Sequence, residues 1–193
     1  MNRFHGASVL VALVVAVAIT AGCSGKSMQA SSLLEQGRYA EAATAYAAVT
    51  AENPSDWRSG VRQGYALYRN GDYAAARAVL MPLTEDWRAD EYARFWAGIA
   101  AIAARDGDAA RAAWTGWTTD RMEVLRAVRQ RVNLLQADEL ALGPQSAELY
   151  AREAAQANAL EEMKRDRDRF RSGMDRGDVP DPALPPSPVE YLP

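Results

Sequence analysis

Gly71-Asp72-Tyr73-Ala74-Ala75-Ala76 repeats the pattern of Gly37-Arg38-Tyr39-Ala40-Glu41-Ala42 at a distance of 34 residues. A weaker copy, Gly107-Asp108-Ala109-Ala110-Arg111-Ala112, follows 36 residues further on, and Gly64 and Gly98 are again 34 apart. Each copy reads as a turn that opens a helix. Glycine is a turn signal, and the alanines that follow are strong helix formers. From residue 31 onward β-branched runs are absent, and turn signals fall at the spacing of helical hairpins. A fixed period of this length marks stacked units, because one hairpin cannot bury its apolar face alone.

Working outward from these turns, the pattern predicts helices near 30–36, 39–52, 56–69, 72–84, 90–105 and 108–118. Asp56, after Pro54 and Ser55, is placed to cap the third, whose apolar stripe is Trp57, Val61, Tyr65 and Tyr68. Pro82 should end or kink the fourth near Met81. The fifth carries Tyr92, Phe95, Trp96, Ile99 and Ile102, an apolar girth that suits a central position. Gly64, Gly98, Ala42 and Ala76 leave room for close crossings, which Tyr39, Tyr73, Tyr46 and Leu80 fill.

These residues resemble tetratricopeptide (TPR) repeats. The first unit supplies Gly37, Tyr39, Ala42, Tyr46 and Pro54, and the second supplies Gly71, Tyr73, Ala76 and Leu80, with Arg88 where proline is usual. The third keeps Gly107 and Ala112, but Ala109 and Gly116 replace the larger residues, so the likeness fades over residues 29–119. The resemblance implies a right-handed helical solenoid that binds other proteins. It also implies a concave face lined by the first helix of each hairpin. On that implication the partner-binding residues are Arg58, Val61, Tyr65, Tyr68, Arg69, Tyr92, Phe95 and Ile99. Aromatic rings beside arginine suit an extended peptide. The competing expectation is that these side chains pack neighbouring hairpins, and that residues 120–172 fold back and fill the short groove.

The N-terminus carries a separate signal. Arg3 precedes Val9–Ile19, eleven apolar residues in a row, followed by Thr20-Ala21-Gly22-Cys23. That run is short for a membrane span of about 20 residues and fits the core of a signal peptide. The segment resembles a bacterial lipoprotein signal. The resemblance implies cleavage after Gly22 and acylation of Cys23, with diacylglycerol on the thiol and a third chain such as palmitate on the freed amine. Thr20 stands where an aliphatic residue is usual. Ser24, rather than aspartate, implies sorting to the outer membrane, facing the periplasm. Residues 24–30 are small and polar and read as a tether.

Past the repeats, Asp120 and Glu123 have capping-box spacing at the head of a helix with the stripe Leu125, Val128, Val132 and Leu135. That helix is expected to run to Gly143-Pro144. A last helix, about 145–172, has Leu149, Tyr150, Ala154 and Ala157 to bury, while its charged half, Glu161–Arg171, is expected in solvent. Residues 178–193 hold six prolines and no base, and are expected to be disordered. The sequence therefore reads as an all-α protein. Its divisions are a signal peptide (1–22), a lipidated tether (23–30), two to three TPR-like hairpins (31–119), two C-terminal capping helices (120–172) and a Pro-rich tail (173–193).

Composition narrows the function. The formal charge is −3, without the basic stripe that nucleic-acid binding needs. Cys23 is the sole cysteine and His5 the sole histidine, so no thiol cluster and no imidazole-based catalysis or metal ligation is expected in the mature chain. The acids Glu85, Asp86, Asp90 and Glu91 lack the pattern of a calcium loop and read as helix caps. No cofactor, metal or enzymatic activity is expected. The expected role is an envelope scaffold or assembly adaptor whose partner is another envelope protein or peptide segment. An accessory subunit or activator of an envelope enzyme system is the alternative. A small-ligand carrier with an apolar pocket under Trp96, Trp114 and Trp117 is a third reading.

Overall fold

The computed structural model describes residues 25–119, 121–135 and 137–176, and these contain helices and turns with no strand. Helix α1 spans 25–35, followed by α2 (Tyr39–Glu52), α3 (Trp57–Asn70), α4 (Tyr73–Leu83), α5 (Asp90–Ala103) and α6 (Gly107–Trp114). Three more helices complete the described chain: α7 (Met122–Leu134), α8 (Ala137–Leu142) and α9 (Pro144–Arg176). Consecutive helices from α2 to α6 pack as antiparallel neighbours, the arrangement of a hairpin solenoid.

The 34-residue period is written into the turns. Gly37 and Gly71 have φ of 73° and 90°, and the third residue of this kind is Arg105, φ 64°, another 34 residues on. All three turns make the same pair of bonds. The amides of Gly37, Gly71 and Arg105 donate three residues back, to Leu34, Tyr68 and Ile102. The next amides, of Arg38, Asp72 and Asp106, donate five back, to Leu33, Leu67 and Ala101, at 2.9–3.0 Å. This pair of hydrogen bonds closes a helix only if the residue at its end is left-handed. Gly107, expected as the third turn glycine, is instead the first residue of α6, buried where an added Cβ would lie 2.6 Å from Leu140 Cδ1. In the corrected register Gly107, Ala110 and Trp114 correspond to Tyr73, Ala76 and Leu80. A left-handed arginine is strained by roughly 1–2 kcal/mol. Arg105→Gly is therefore expected to raise stability by about 1 kcal/mol, read as a higher urea midpoint at unchanged slope.

The same register explains the hairpin cores. Ala30, Gly64 and Gly98 sit at one position of the first helix in each pair, facing Tyr46, Leu80 and Trp114 of the second. An added Cβ on Gly64 would be 2.4 Å from Leu80 Cγ, and on Gly98 2.1 Å from Trp114 Cε2. Ala30, Ala42 and Tyr46 are fully buried together at the N-terminal end, where Ser31 and Tyr46 hydroxyls meet at 3.0 Å. The repeats thus begin at α1, and residues 25–30, expected as tether, form its first turns. Small, polar residues hid this because only Ala30 among them is buried.

Local chemistry fixes the ends. Asp56 caps α3, accepting the Ser59 amide at 3.2 Å, and Asp106 caps α6, accepting the Ala109 amide at 2.9 Å. Asp106 also takes Arg77 of α4 at 2.9 Å. The Ala109 amide and Arg77 hold the Asp106 carboxyl below its ordinary range. Its contribution is present above the unfolded pKa, near 4, and is lost as pH falls through the lower folded value. Asp106→Asn should remove that part of the acid sensitivity below about pH 4, as seen in melts across pH 2–6. Pro82 lies in the last turn of α4, which ends at Leu83.

The C-terminal segment forms three helices rather than two. Leu135 is extended, so α7 stops at Leu134, and the short α8 brings Leu140 against Gly107. Asp120 lies outside the described residues. The α7 start is capped from α9, where the Glu161 carboxylate accepts the amides of Met122 and Glu123 at 3.2 and 3.0 Å. The last helix runs to Arg176, so residues 173–176, assigned above to the tail, are helical. The expected disorder of 177–193 lies outside the described residues, as do the signal peptide and Cys23.

Candidate interaction surface

Alternating antiparallel helices make α1, α3 and α5 parallel, so the face expected to be concave is the side these three helices share. At α5 this face is covered. Gly143, just before α9, stands against Ala103 at the C-terminal end of α5. Asn158, fifteen residues later, accepts from Arg121, which pairs with Glu91 in the first turn of α5. Helix α9 therefore runs antiparallel to α5, packed against both α5 and α7. Ala147, Tyr150, Ala151 and Ala154 of α9 join Phe95, Trp96 and Ile99 in one core. Leu149, expected to be buried with them, is 51% exposed, because the inward face of α9 is the one that carries Ala147, Tyr150, Ala151 and Ala154.

Polar contacts lock this helix in place. Arg131 of α7 pairs with Glu153 at 2.7 Å and lies 4.9 Å over the Tyr150 ring. Arg121, 6% exposed, donates to Asn158 and pairs with Glu91. Thr119 donates to the same Glu91 at 2.6 Å, and Trp117 donates to the Glu91 carbonyl at 3.0 Å. Lys164 binds Glu123 at 2.7 Å and, as the largest cause, holds its carboxyl below the ordinary range. The charged half of α9 is thus engaged at Glu161, Lys164 and Arg165 and exposed from Asp166 to Arg169.

The expected binding residues divide accordingly. Val61, Tyr65, Tyr68, Phe95 and Ile99 are buried core residues. Tyr65 and Tyr68 pack on Trp96, with ring centroids 4.6 and 5.5 Å away, and burial pushes both phenol pKa values up. These five side chains hold the hairpins and C-terminal helices together, which was the competing expectation. Tyr92 is half-buried, stacked on Trp57 at 5.8 Å and 21°. Arg58 is exposed, its guanidinium 4.6 Å from the Trp57 ring centroid. Arg69, half-buried, lies 4.8 Å over Tyr39 and donates to the Tyr65 hydroxyl at 2.8 Å. Of the eight residues, Arg58, Arg69 and Tyr92, on α3 and the start of α5, therefore keep exposed surface.

Two features were not anticipated. Trp87, in the turn before α5, is 86% exposed, and nothing in its spacing set it apart from the buried tryptophans. Arg121 was passed over because a lone arginine before a helix ordinarily sits in water. The tryptophans expected to roof a ligand pocket are packed instead. Trp96, Trp114 and Trp117 are all buried, and the Trp114 indole points at the Phe95 carbonyl, 3.4 Å away. A crevice bordered by Phe95, Ile99, Trp114, Val128, Tyr150 and Ala154 measures about 10 Å³, the room of about one water. Among the described residues no three carboxylate, histidine or cysteine side chains gather as metal ligands.

Comparison with known proteins agrees with this architecture. A family model for the tetratricopeptide repeat matches residues 27–80 and 61–115. No curated protein and no solved structure matches the chain at a significant level. The two overlapping matches begin inside α1 and end just after α6, which are the limits of the three hairpins set by the turn hydrogen bonds. Residues 27–115 therefore form repeats similar to the tetratricopeptide repeat.

Proposed function

We propose that this protein is a lipid-anchored scaffold of the bacterial cell envelope, holding a partner protein near a membrane through its repeats. The scaffold part is supported by the likeness to tetratricopeptide repeats, which generally mediate protein–protein interactions, and by the exposed Arg58 on α3. The anchor is supported by the apolar run Val9–Ile19 ending in Ala21-Gly22-Cys23. Among the described residues no helix is long and apolar enough to cross a membrane, so an acyl anchor would supply attachment that these residues do not. Several acyl chains give firm attachment, each buried CH₂ contributing about 0.8 kcal/mol. Ser24 favours the outer membrane, facing the periplasm. In the second reading, the partner is an envelope cell-wall or secretion enzyme that the protein assists.

Cys23 carries the anchor, and one experiment addresses it. In cells fed a palmitate analogue, label should enter the wild-type protein and not Cys23→Ser, and globomycin should leave the unprocessed form. Unchanged maturation in globomycin, with no label, would contradict lipid anchoring.

A further inference from the structure

Helix α9 is far longer than the helices it packs against. It has 33 residues, about 50 Å, where α5 has 14 and α7 has 13. Glu161 stands at the start of α7, where it accepts the Met122 and Glu123 amides, and α9 runs on from there for fifteen residues, about 22 Å. Asp166, Arg167, Asp168 and Arg169 on that extension are exposed. Three of the eight exposed large hydrophobic side chains among the described residues also belong to α9. They are Leu149, Leu160 and Met163, at 51%, 53% and 60% exposure. With Gln156, also exposed, they follow one another at steps of seven, four and three, so they form one stripe. Ala147, Tyr150, Ala151, Ala154 and Asn158 face the body of the protein from about 140° around the helix. Two charged residues share the stripe. Glu153, held by Arg131, lies in its first half, and Arg167, 3.6 Å from Asp168, lies beyond Met163. In the sequence, Phe170 and Met174 continue the spacing.

We propose that this stripe is the seam of a homodimer, in which the α9 helices of two copies pair antiparallel about a two-fold axis midway between Leu160 and Met163. This goes beyond the scaffold reading and does not rest on the anchor. A second copy is the occupant because of the order of charges. The stripe carries its acid in one half and its base in the other, with apolar residues between, so it complements its own reverse. In the antiparallel pair Leu160 meets the partner's Met163, and Met163 meets the partner's Leu160. Arg167 falls opposite the partner's Gln156, one turn from the partner's Glu153, and the two-fold axis makes the same contact twice. A parallel pair would set Arg167 against the partner's Arg167 and Glu153 against the partner's Glu153, which is repulsive. The antiparallel pair also lays the extension of each copy along the Leu149–Gln156 part of the other. A helix of that length is marginal alone in water, and a facing helix supplies the contacts it lacks.

Sedimentation equilibrium of the full-length chain in density-matched detergent tests this. The wild type is expected to sediment with the mass of two chains. Leu160→Glu with Met163→Glu, both at exposed sites, should sediment as one chain, with the near-ultraviolet dichroism of the buried tryptophans unchanged. Gln156→Glu should tighten association roughly 10-fold, because it sets a carboxylate opposite the partner's Arg167 at both ends of the seam, and the gain should fall as salt rises. Arg167→Glu should weaken association by a similar factor. A single-chain mass for the wild type overturns the proposal. So does a two-chain mass that persists in Leu160→Glu with Met163→Glu. Weaker association in Gln156→Glu, the result for parallel helices, overturns it as well. Dimers that form only when residues 177–193 are deleted overturn it too, by identifying the tail as the occupant in the intact chain.

Discussion

Gly98→Ala is expected to destabilise the protein by about 3 kcal/mol, although alanine is the better helix former by about 1 kcal/mol. The new methyl carbon would lie 2.1 Å from Trp114 Cε2 and 2.2 Å from its Nε1. That indole is rigid and buried, and its N–H is directed at the Phe95 carbonyl, so relief requires α6 to move away from α5. Gly64→Ala creates a comparable overlap, 2.4 Å from Leu80 Cγ. Leucine can change rotamer, however, and the cost there should be closer to 1 kcal/mol. Urea unfolding of the two variants side by side checks the order. Equal costs would show that the third hairpin is not closed on Trp114 as described.

Trp96→Ala is expected to cost about 4 kcal/mol, in the range for truncating a fully buried large aromatic. Trp96 is 1% exposed, and its ring stands 4.6, 5.5 and 5.1 Å from those of Tyr65, Tyr68 and Phe95. It is the point where the second hairpin, the third and the C-terminal helices share a core. The loss should appear as a fall in the urea midpoint together with near-ultraviolet dichroism. Trp87→Ala, at a largely exposed site, should change stability by less than about 0.5 kcal/mol. A Trp96→Ala cost under about 1.5 kcal/mol would mean that these rings do not pack as a unit.

The solenoid was legible because its determinants are local and periodic. Gly37, Gly71, Gly64 and Gly98 are demanded by backbone conformation or close approach, and such demands leave residue types that spacing alone reveals. The third turn was misread for a related reason. Gly107 looks like a turn glycine, whereas the left-handed position is Arg105, a residue type that gives no such sign. Strict addition of 34 residues to Gly71 finds it, and the same addition links Ala30 to Gly64 and places α1 inside the array.

Helical spacing put Trp57, Val61, Tyr65 and Tyr68 on one apolar stripe of α3, and in the structure Val61, Tyr65 and Tyr68 are buried. Spacing does not say what covers a stripe, and over Phe95 and Ile99 the cover is α9. Helix α9 offers mostly alanine to that core, and among the described residues Tyr150 is its one large buried hydrophobic side chain. Its position depends on distant polar pairs, Arg131 with Glu153 and Arg121 with Asn158. Contacts 22 and 37 residues apart leave no periodic mark in the sequence. The break at Leu135 is equally silent, since neither glycine nor proline stands there.

The occupation of the inner face by α9 decides which surface is left for a partner, and a nuclear Overhauser spectrum of the intact chain measures it directly. The expected result is a set of cross-peaks from the Tyr150 ring to the methyl groups of Ile99 and Val128, with amides 147–158 protected to a degree close to those of α5. Absence of those cross-peaks, with α9 amides exchanging as in a solvated helix while α3–α6 stay protected, would contradict it.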